Sequence, residues 1–246
     1  MREILYGRQP VRETLRARRR EVFKLLLAQG IKPAGVVHEI LALAEQAGIP
    51  VQTVNRRELD KLGGEVNHQG LAAEVSSYPY VDLAAPLEAA REAGKPPLLV
   101  LLDHLQDPQN LGSILRTVEA VGAHGVVIPT RRAAAVTPAA VRASAGAAEH
   151  VLVTQVTNLV RAMEWLKDNG IWIVGLETLP EIPLHSQQDL RGPLGLVIGH
   201  EGEGLTRLAR ETCDFLIRLP MHGQVQSLNA ATAGAVALYE ALRQRE

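Results

Sequence analysis

The sequence predicts an α/β protein in two parts, a small α/β unit followed by a larger parallel sheet with helical crossovers. Three observations carry this reading. Strand and helix signals alternate over residues 21–78. Pro79, Pro86, Pro96 and Pro97 then interrupt the chain and mark a linker. From residue 98 onward, short dense apolar runs recur, several of them separated by helix-length segments. Buried parallel strands joined by helices give that pattern.

The elements follow in order. EVFKLLLA reads as a strand, HEILALAEQAG as a helix ending at Gly48, and PVQTVN as a strand. RRELDKL is a short helix and GLAAEVSSY another strand. Within the linker, residues 78–97, one short helix runs from Leu83 to Ala93. The later apolar runs are PLLVLLD, HGVVIP, IWIVGLE, LGLVIG and DFLIRLP. Helices are expected at Leu111–Val121, Asn158–Asn169, Leu205–Cys213 and Leu228–Gln244, with residues 137–147 a possible addition. The expected domains are therefore 1–77, a linker at 78–97, and 98–246. In parallel sheets ligands bind beyond the carboxyl ends of the strands. That rule points to Asp103–Asn110, Glu177–Pro180, Gly199–Gly204 and Pro220–Asn229.

Composition narrows the function. Of 246 residues, 46% are hydrophobic, enough for a sizeable core and too many for a disordered chain. No apolar run approaches the roughly 18 residues of a membrane span. The charged start, MREILYGRQPVRETLRARRR, has no apolar signal core, so the expectation is a cytoplasmic protein. The single cysteine, Cys213, excludes a disulfide framework and a Cys-rich zinc site. The net charge of -1 hides an asymmetry, +3 over residues 1–80 against -4 beyond. Arg12, Arg16, Arg18, Arg19, Arg20 and Lys24 could face phosphates, or simply form a solvated helix face. Aromatic residues are only 3%, which argues against a platform for stacking many bases.

Three segments could carry chemistry. In DHLQDPQNLGSILRTVEAVGAHG, Asn110 is placed to cap a helix. Leu111, Ile114, Leu115, Val118 and Val121 then share one face, with Gly112, Ser113, Arg116 and Ala120 on the other. Arg116 thus projects from a face of very small residues, or else only pairs with Glu119. In LGLVIGHEGEGL, Gly199, Gly202 and Gly204 let backbone approach a ligand closely. Glu201 lies between those glycines, either as a functional acid or as a solvated turn carboxylate. The order G-x-x-G-x-G is not the dinucleotide fingerprint. In LPMHGQVQSLNAATAGAVALYEALRQ, Ser227 or Asn229 can cap a last helix that opens with small residues.

Together these segments resemble the SpoU (TrmH) branch of the SPOUT RNA methyltransferases. The matches are N-L-G-x-x-x-R, L-V-I-G-x-E-G-x-G-L, and S-L-N-x-x-x-A followed by L-Y-E, in that order. YGRQPVRETL and NHQGLAAEV resemble the substrate-binding domain that precedes the catalytic one in a subgroup. That subgroup 2′-O-methylates a guanosine in the peptidyl-transferase region of bacterial 23S rRNA. The resemblance implies a parallel sheet with helices on both faces and a deep trefoil knot, preceded by an L30e/L7Ae-like RNA-binding domain. It implies S-adenosylmethionine as cofactor, no metal, RNA as substrate and a homodimer. Carried over by motif, the catalytic set is Asn110, Arg116, Glu201, Ser227 and Asn229, with Gly199, Leu219 and Leu228 against the cofactor. The family's base is the arginine matching Arg116. A guanidinium stays protonated unless strongly perturbed, so Arg116 as a phosphate clamp that orients the ribose is the physical alternative. Other readings are a tRNA methyltransferase of the same family and a non-catalytic RNA-binding assembly factor. A nucleotide-dependent oxidoreductase lacks its glycine fingerprint.

Overall fold

The computed structural model describes residues 2–63, 66–177, 189–200, 202–224 and 227–246. By its contacts the chain forms two compact units, Met1–Pro79 with Val136–His150, and Tyr80–Ala135 with Val151–Glu246.

The first unit is a four-stranded mixed sheet in the order β1-β4-β2-β3, with β1 Arg2–Tyr6, β2 Val22–Ala28, β3 Val51–Val54 and β4 Leu71–Ser76. β4 runs antiparallel to β1 and β2, while β2 and β3 are parallel. Helices α1 Arg8–Ala17, α2 Val36–Gln46 and α3 Arg56–Gly63 each follow a strand. β1 and α1 are absent from the sequence reading. Seven arginines among the first 20 residues obscure the buried stripe Pro10, Val11, Thr14 and Leu15 that makes α1 amphipathic. Leu26, Ala28, Val54, Leu59 and Ala72 form a core cluster here.

Most of the early positive charge is neutralised inside this unit. Arg12 and Arg16 pair with Glu13 and Glu39, and Lys24 with Glu74. Arg20 is fully buried. It pairs with Glu3 at 2.9 Å and with the equally buried Glu149 at 3.0 Å, and its guanidinium lies 4.9 Å from the Tyr78 ring centre. Tyr78 donates to the Ala148 carbonyl at 3.0 Å, and burial pushes its hydroxyl up to about 12. Burial likewise holds the Glu149 carboxyl above its ordinary range despite Arg20 and Arg19. This network belongs to the short helix α6 Pro138–Ala143 and the 3-10 turn Ala147–Glu149 that complete the unit.

The second unit is a six-stranded, all-parallel sheet in the order β10-β8-β9-β5-β6-β7. Its strands are β5 Leu98–Leu102, β6 Gly125–Pro129, β7 Val153–Val156, β8 Trp172–Leu176, β9 Leu194–Ile198 and β10 Phe215–Ile217. Five of them are the predicted apolar runs. β7, Val-Thr-Gln-Val, is too short and polar to announce itself. Its helices are α4 Ala85–Glu92, α5 Pro108–Ala120, α7 Leu159–Asp168, α8 Arg207–Thr212 and α9 Ala230–Arg245. β5, β6 and β9 are buried along their whole length, as strands covered on both faces must be. Cys213 packs against this core, and burial pushes its thiol up to about 12, so it is an inert structural thiol. No described helix is long and apolar enough to cross a membrane.

The Arg20–Glu149 pair sets a testable asymmetry. Arg20→Met strands a buried carboxylate and costs about 3–5 kcal/mol, whereas Arg20→Met with Glu149→Leu removes both charges and costs far less. Urea denaturation of the three chains checks this. Equal losses in the single and double variants would contradict the pairing.

Candidate active site at the carboxyl edge of the parallel sheet

Four strands of the second unit end in register. Leu102 of β5 pairs with Ile198 of β9, Ile198 with Leu176 of β8, and Leu176 with Ile217 of β10. The residues that follow, Asp103, Gly199, Glu177 and Arg218, therefore leave one edge side by side. Asp103, Glu177 and Gly199 each begin one of the segments that the carboxyl-end rule selects, and Arg218 lies two residues before the fourth, Pro220–Asn229.

The loop after β9 closes on itself. His200 and Gly204 exchange two backbone hydrogen bonds of 3.0 Å. Gly202 and Gly204 have φ of 83° and 68°, a region that favours glycine. A Cβ on Gly199 would overlap the Gly204 carbonyl and lie 2.6 Å from the Leu205 nitrogen. Glycine at 199 is thus required by the protein's own backbone, quite apart from any cofactor, and a bulky residue there would open the loop. Glu201 lies outside the described residues.

Asp103 holds this loop and was missed as a site residue. It is 1% exposed. One carboxylate oxygen accepts from the Thr206 backbone N–H at 2.7 Å, and the other meets His104 Nδ1 at 2.6 Å. Thr206 in turn caps α8. A carboxylate directly after a wholly apolar strand, Leu98–Leu102, is the signal that could have found it. On β8's side, Glu177 pairs with Arg210 of α8 at 2.8 Å, and Gly204 sits close against that carboxylate.

The helix that carries Asn110 starts earlier than expected. Asp107, not Asn110, caps α5, accepting from the Gln109 N–H, with Pro108 in the first turn. This frees the Asn110 side chain, which is buried and accepts a 2.9 Å bond from Asn229 Nδ2. Asn229 is the cap of α9, its Oδ1 accepting from the N–H groups of Ala231 and Thr232. One amide thus ends one helix and ties it to the first turn of another. Small residues at the start of α9 also let it lie close on β9: a Cβ on Gly234 would fall 2.5 Å from Ile198 Cδ1. Leu111, Ile114, Leu115 and Val118 line the buried face of α5 as expected, but Gly112 is buried too, where the opposite face was expected.

Ser227 is exposed and makes no hydrogen bond among the described residues; Leu228 is exposed and Leu219 half-buried. Arg116 is exposed, and among the described residues it has neither a hydrogen bond nor an ion pair. It does not pair with Glu119. It lies six positions beyond Asn110, roughly 9 Å further along the helix and about 120° round it. Asn110 and Asn229 therefore meet directly, Gly199 closes the neighbouring loop, and Arg116 stands apart from both.

Residues 97–239 match the model of the SpoU rRNA Methylase family. The chain belongs to that family. Residues 4–81 match the RNA 2'-O ribose methyltransferase substrate binding family. The TrmH family tRNA/rRNA methyltransferase YacO of Bacillus subtilis is 44% identical over 249 residues, covering 99% of this chain and 96% of that protein. The SpoU methyltransferase AviRb of Streptomyces viridochromogenes, solved in complex with AdoMet, superposes with a TM-score of 0.81 at 28% identity, over 99% of this chain and 90% of that one. The TrmH/SpoU tRNA modifying enzyme of A. aeolicus matches 66% of this chain and 84% of its own, with a TM-score of 0.56 and 29% identity. The SpoU family uses S-adenosylmethionine to methylate RNA on ribose 2′-oxygen. No group of three or more metal-ligating side chains occurs among the described residues.

The Asn110–Asn229 bridge is open to test. Asn229→Ala removes a cap and strands the Asn110 oxygen, so a loss of about 1–2 kcal/mol is expected. Asn110→Ala leaves the cap in place and costs less. Thermal or urea unfolding separates them, and an Asn229→Ala chain as stable as wild type would remove the bridge from this account.

Proposed function

We propose that this SpoU-family protein transfers a methyl group from S-adenosylmethionine to the 2′-oxygen of a guanosine in 23S rRNA during ribosome maturation. The observation that carries the reading is the register of the four strand ends. It brings Asp103, Glu177, Gly199 and Arg218, the first residues after those strands, to one edge. The reading assigns residues 98–246 to methyl transfer and residues 1–77 to substrate binding, with 78–97 between them, in a cytoplasmic protein. A deep knot in the later part belongs to the same proposal.

The residues present fit the cofactor's mixed chemistry. Gly199, Leu219 and Leu228 would hold it, largely through backbone. Leu228 and Met221 add exposed apolar surface, at 41% and 39%, to the same stretch of chain. The cofactor supplies a methyl carbon on a sulfonium, which needs no further activation. The chain's own task is to place a ribose hydroxyl in line and to ease the loss of its proton. Asn110 and Asn229 fix the loop end and the start of α9, and Ser227 and Glu201 complete the set carried by the motifs. Arg116, exposed on α5, clamps a phosphate and orients the ribose, and the hydroxyl proton leaves to water or to a transiently neutral Arg116.

A homodimer accounts for Arg116. Standing some 9 Å from Asn110 along the same helix, it serves a site on a second copy more readily than its own. Val236 and Tyr239, 44% and 53% exposed on α9, offer apolar area for that contact. A tRNA substrate is the second reading, supported by the A. aeolicus match. The N-terminal substrate-binding unit favours rRNA, since the tRNA modifying enzyme matches only 66% of the chain.

Arg116→Ala should abolish methyl transfer to unmodified rRNA while leaving S-adenosylmethionine affinity, read by calorimetry, within about twofold of wild type. Labelled donor incubated with rRNA and with tRNA measures both the reaction and its substrate. Near-normal turnover in the variant would remove Arg116 from the mechanism, and no transfer by the wild-type chain would favour a non-catalytic assembly factor.

A further inference from the structure

The edge shared by the four strand ends holds an oriented imidazole outside the motif-derived set. Asp103 leaves β5 with its backbone N–H on the Ile198 carbonyl at 2.8 Å, and His104 follows it. Both Asp103 carboxylate oxygens are engaged, Oδ2 by the Thr206 N–H at 2.7 Å and Oδ1 by His104 Nδ1 at 2.6 Å. The Asp103 side chain is 1% exposed and the His104 side chain 38%. The acid is sunk in the edge, while the imidazole it holds reaches solvent.

That pairing sets where the ring carries its proton. A carboxylate only accepts hydrogen bonds. One oxygen takes a backbone N–H, so the other takes the proton on Nδ1. A neutral imidazole is protonated on one nitrogen alone. His104 Nε2 is therefore a bare acceptor, and among the described residues it has no partner. The backbone here is held as well. His104 has φ 59°, in the left-handed region that favours glycine. Other residues persist there only where their surroundings over-determine them. Asp103 does so from one side, and from the other the Leu105 carbonyl accepts from the Ala134 N–H at 2.7 Å.

No other described group on this edge combines these features. His200 Nδ1 is buried. His222 is exposed, with no described side-chain bond to orient it. Glu177 is paired with Arg210. Arg116 is a guanidinium, which has donors and no acceptor. A buried carboxylate that orients an imidazole with one nitrogen free is the arrangement that activates a hydroxyl for attack. Here the hydroxyl arrives on the substrate.

We infer that His104 Nε2 receives the proton of the ribose 2′-hydroxyl, through one bridging water, during methyl transfer. The inference rests on the proposed 2′-O-methylation, and adds which side chain takes the proton that leaves to water. The step balances. The O–H bond breaks and an N–H bond forms on Nε2. The oxygen's electron pair forms the bond to the methyl carbon. The carbon–sulfur bond breaks, and its pair passes to sulfur, which loses its positive charge. That charge now lies on the imidazolium, beside the Asp103 carboxylate, until the proton passes to solvent.

His104→Gly tests this, because glycine adopts φ 59° freely and leaves room for a free imidazole. With labelled donor and whichever of rRNA and tRNA the wild type accepts, kcat should fall about 100-fold or more, with KM for RNA within about twofold of wild type. S-adenosylmethionine affinity, read by calorimetry, should not move. Added imidazole should restore turnover in proportion to its concentration. Ring nitrogen-15 NMR of the unliganded wild-type chain should show His104 as the Nδ1–H tautomer. Wild-type kcat in His104→Gly, a loss that imidazole does not restore, or an Nε2–H tautomer would each overturn the inference and leave methyl transfer standing. No transfer to any RNA by the wild-type chain would instead sink the reaction, and the inference with it.

Discussion

A backbone that must pass within contact of itself sets the terms for the second unit. The turn after β9 doubles back so tightly that position 199 has no room for a Cβ, and the two bonds between His200 and Gly204 hold it closed. That closure turns the chain toward α8, where the buried Asp103 carboxylate takes the Thr206 N–H. A charge-assisted bond in a water-poor place is strong. It fastens the end of β5 to the start of α8. These bonds hold the edge through the chain's own groups, as the in-line transfer proposed for it requires.

The same economy governs the end of the chain. Asn229 caps α9 with its oxygen and reaches Asn110 with its nitrogen, so a single amide sets both the start of the last helix and its distance from α5. Small residues on α9 let it lie close on β9. Arg116 takes no part in this lattice of contacts. A side chain with no hydrogen bond or ion pair among the described residues, on a helix otherwise fixed by such contacts, is available to something outside the chain.

Much of this was legible in the sequence because burial leaves a dense signature. LLVLL, GVVIP and LGLVI read directly as strands, and their carboxyl ends pointed to the segments that meet. What was hidden was masked by charge or brevity. β1 and α1 lie among arginines whose pairing with distant acids cannot be read from spacing. β7 is four residues long with two of them polar. Asn110 reads as a cap because Asn is a good one, yet Asp107 with Pro108 behind it is better placed. Its helical angle places Gly112 on the open face, but glycine has no side chain to declare a preference and is covered. Asp103 opens a segment that the strand rule selects, but nothing local shows that its partner is 103 positions away.

The central claim is that the donor sits at the shared carboxyl edge of β5, β8, β9 and β10. Amide hydrogen exchange of the full chain with and without S-adenosylmethionine tests it most directly. Slowed exchange concentrated in residues 199–206 and 218–231 is the result expected. Slowing confined to the β1–β4 unit, or spread evenly over the chain with none at those two segments, would contradict it.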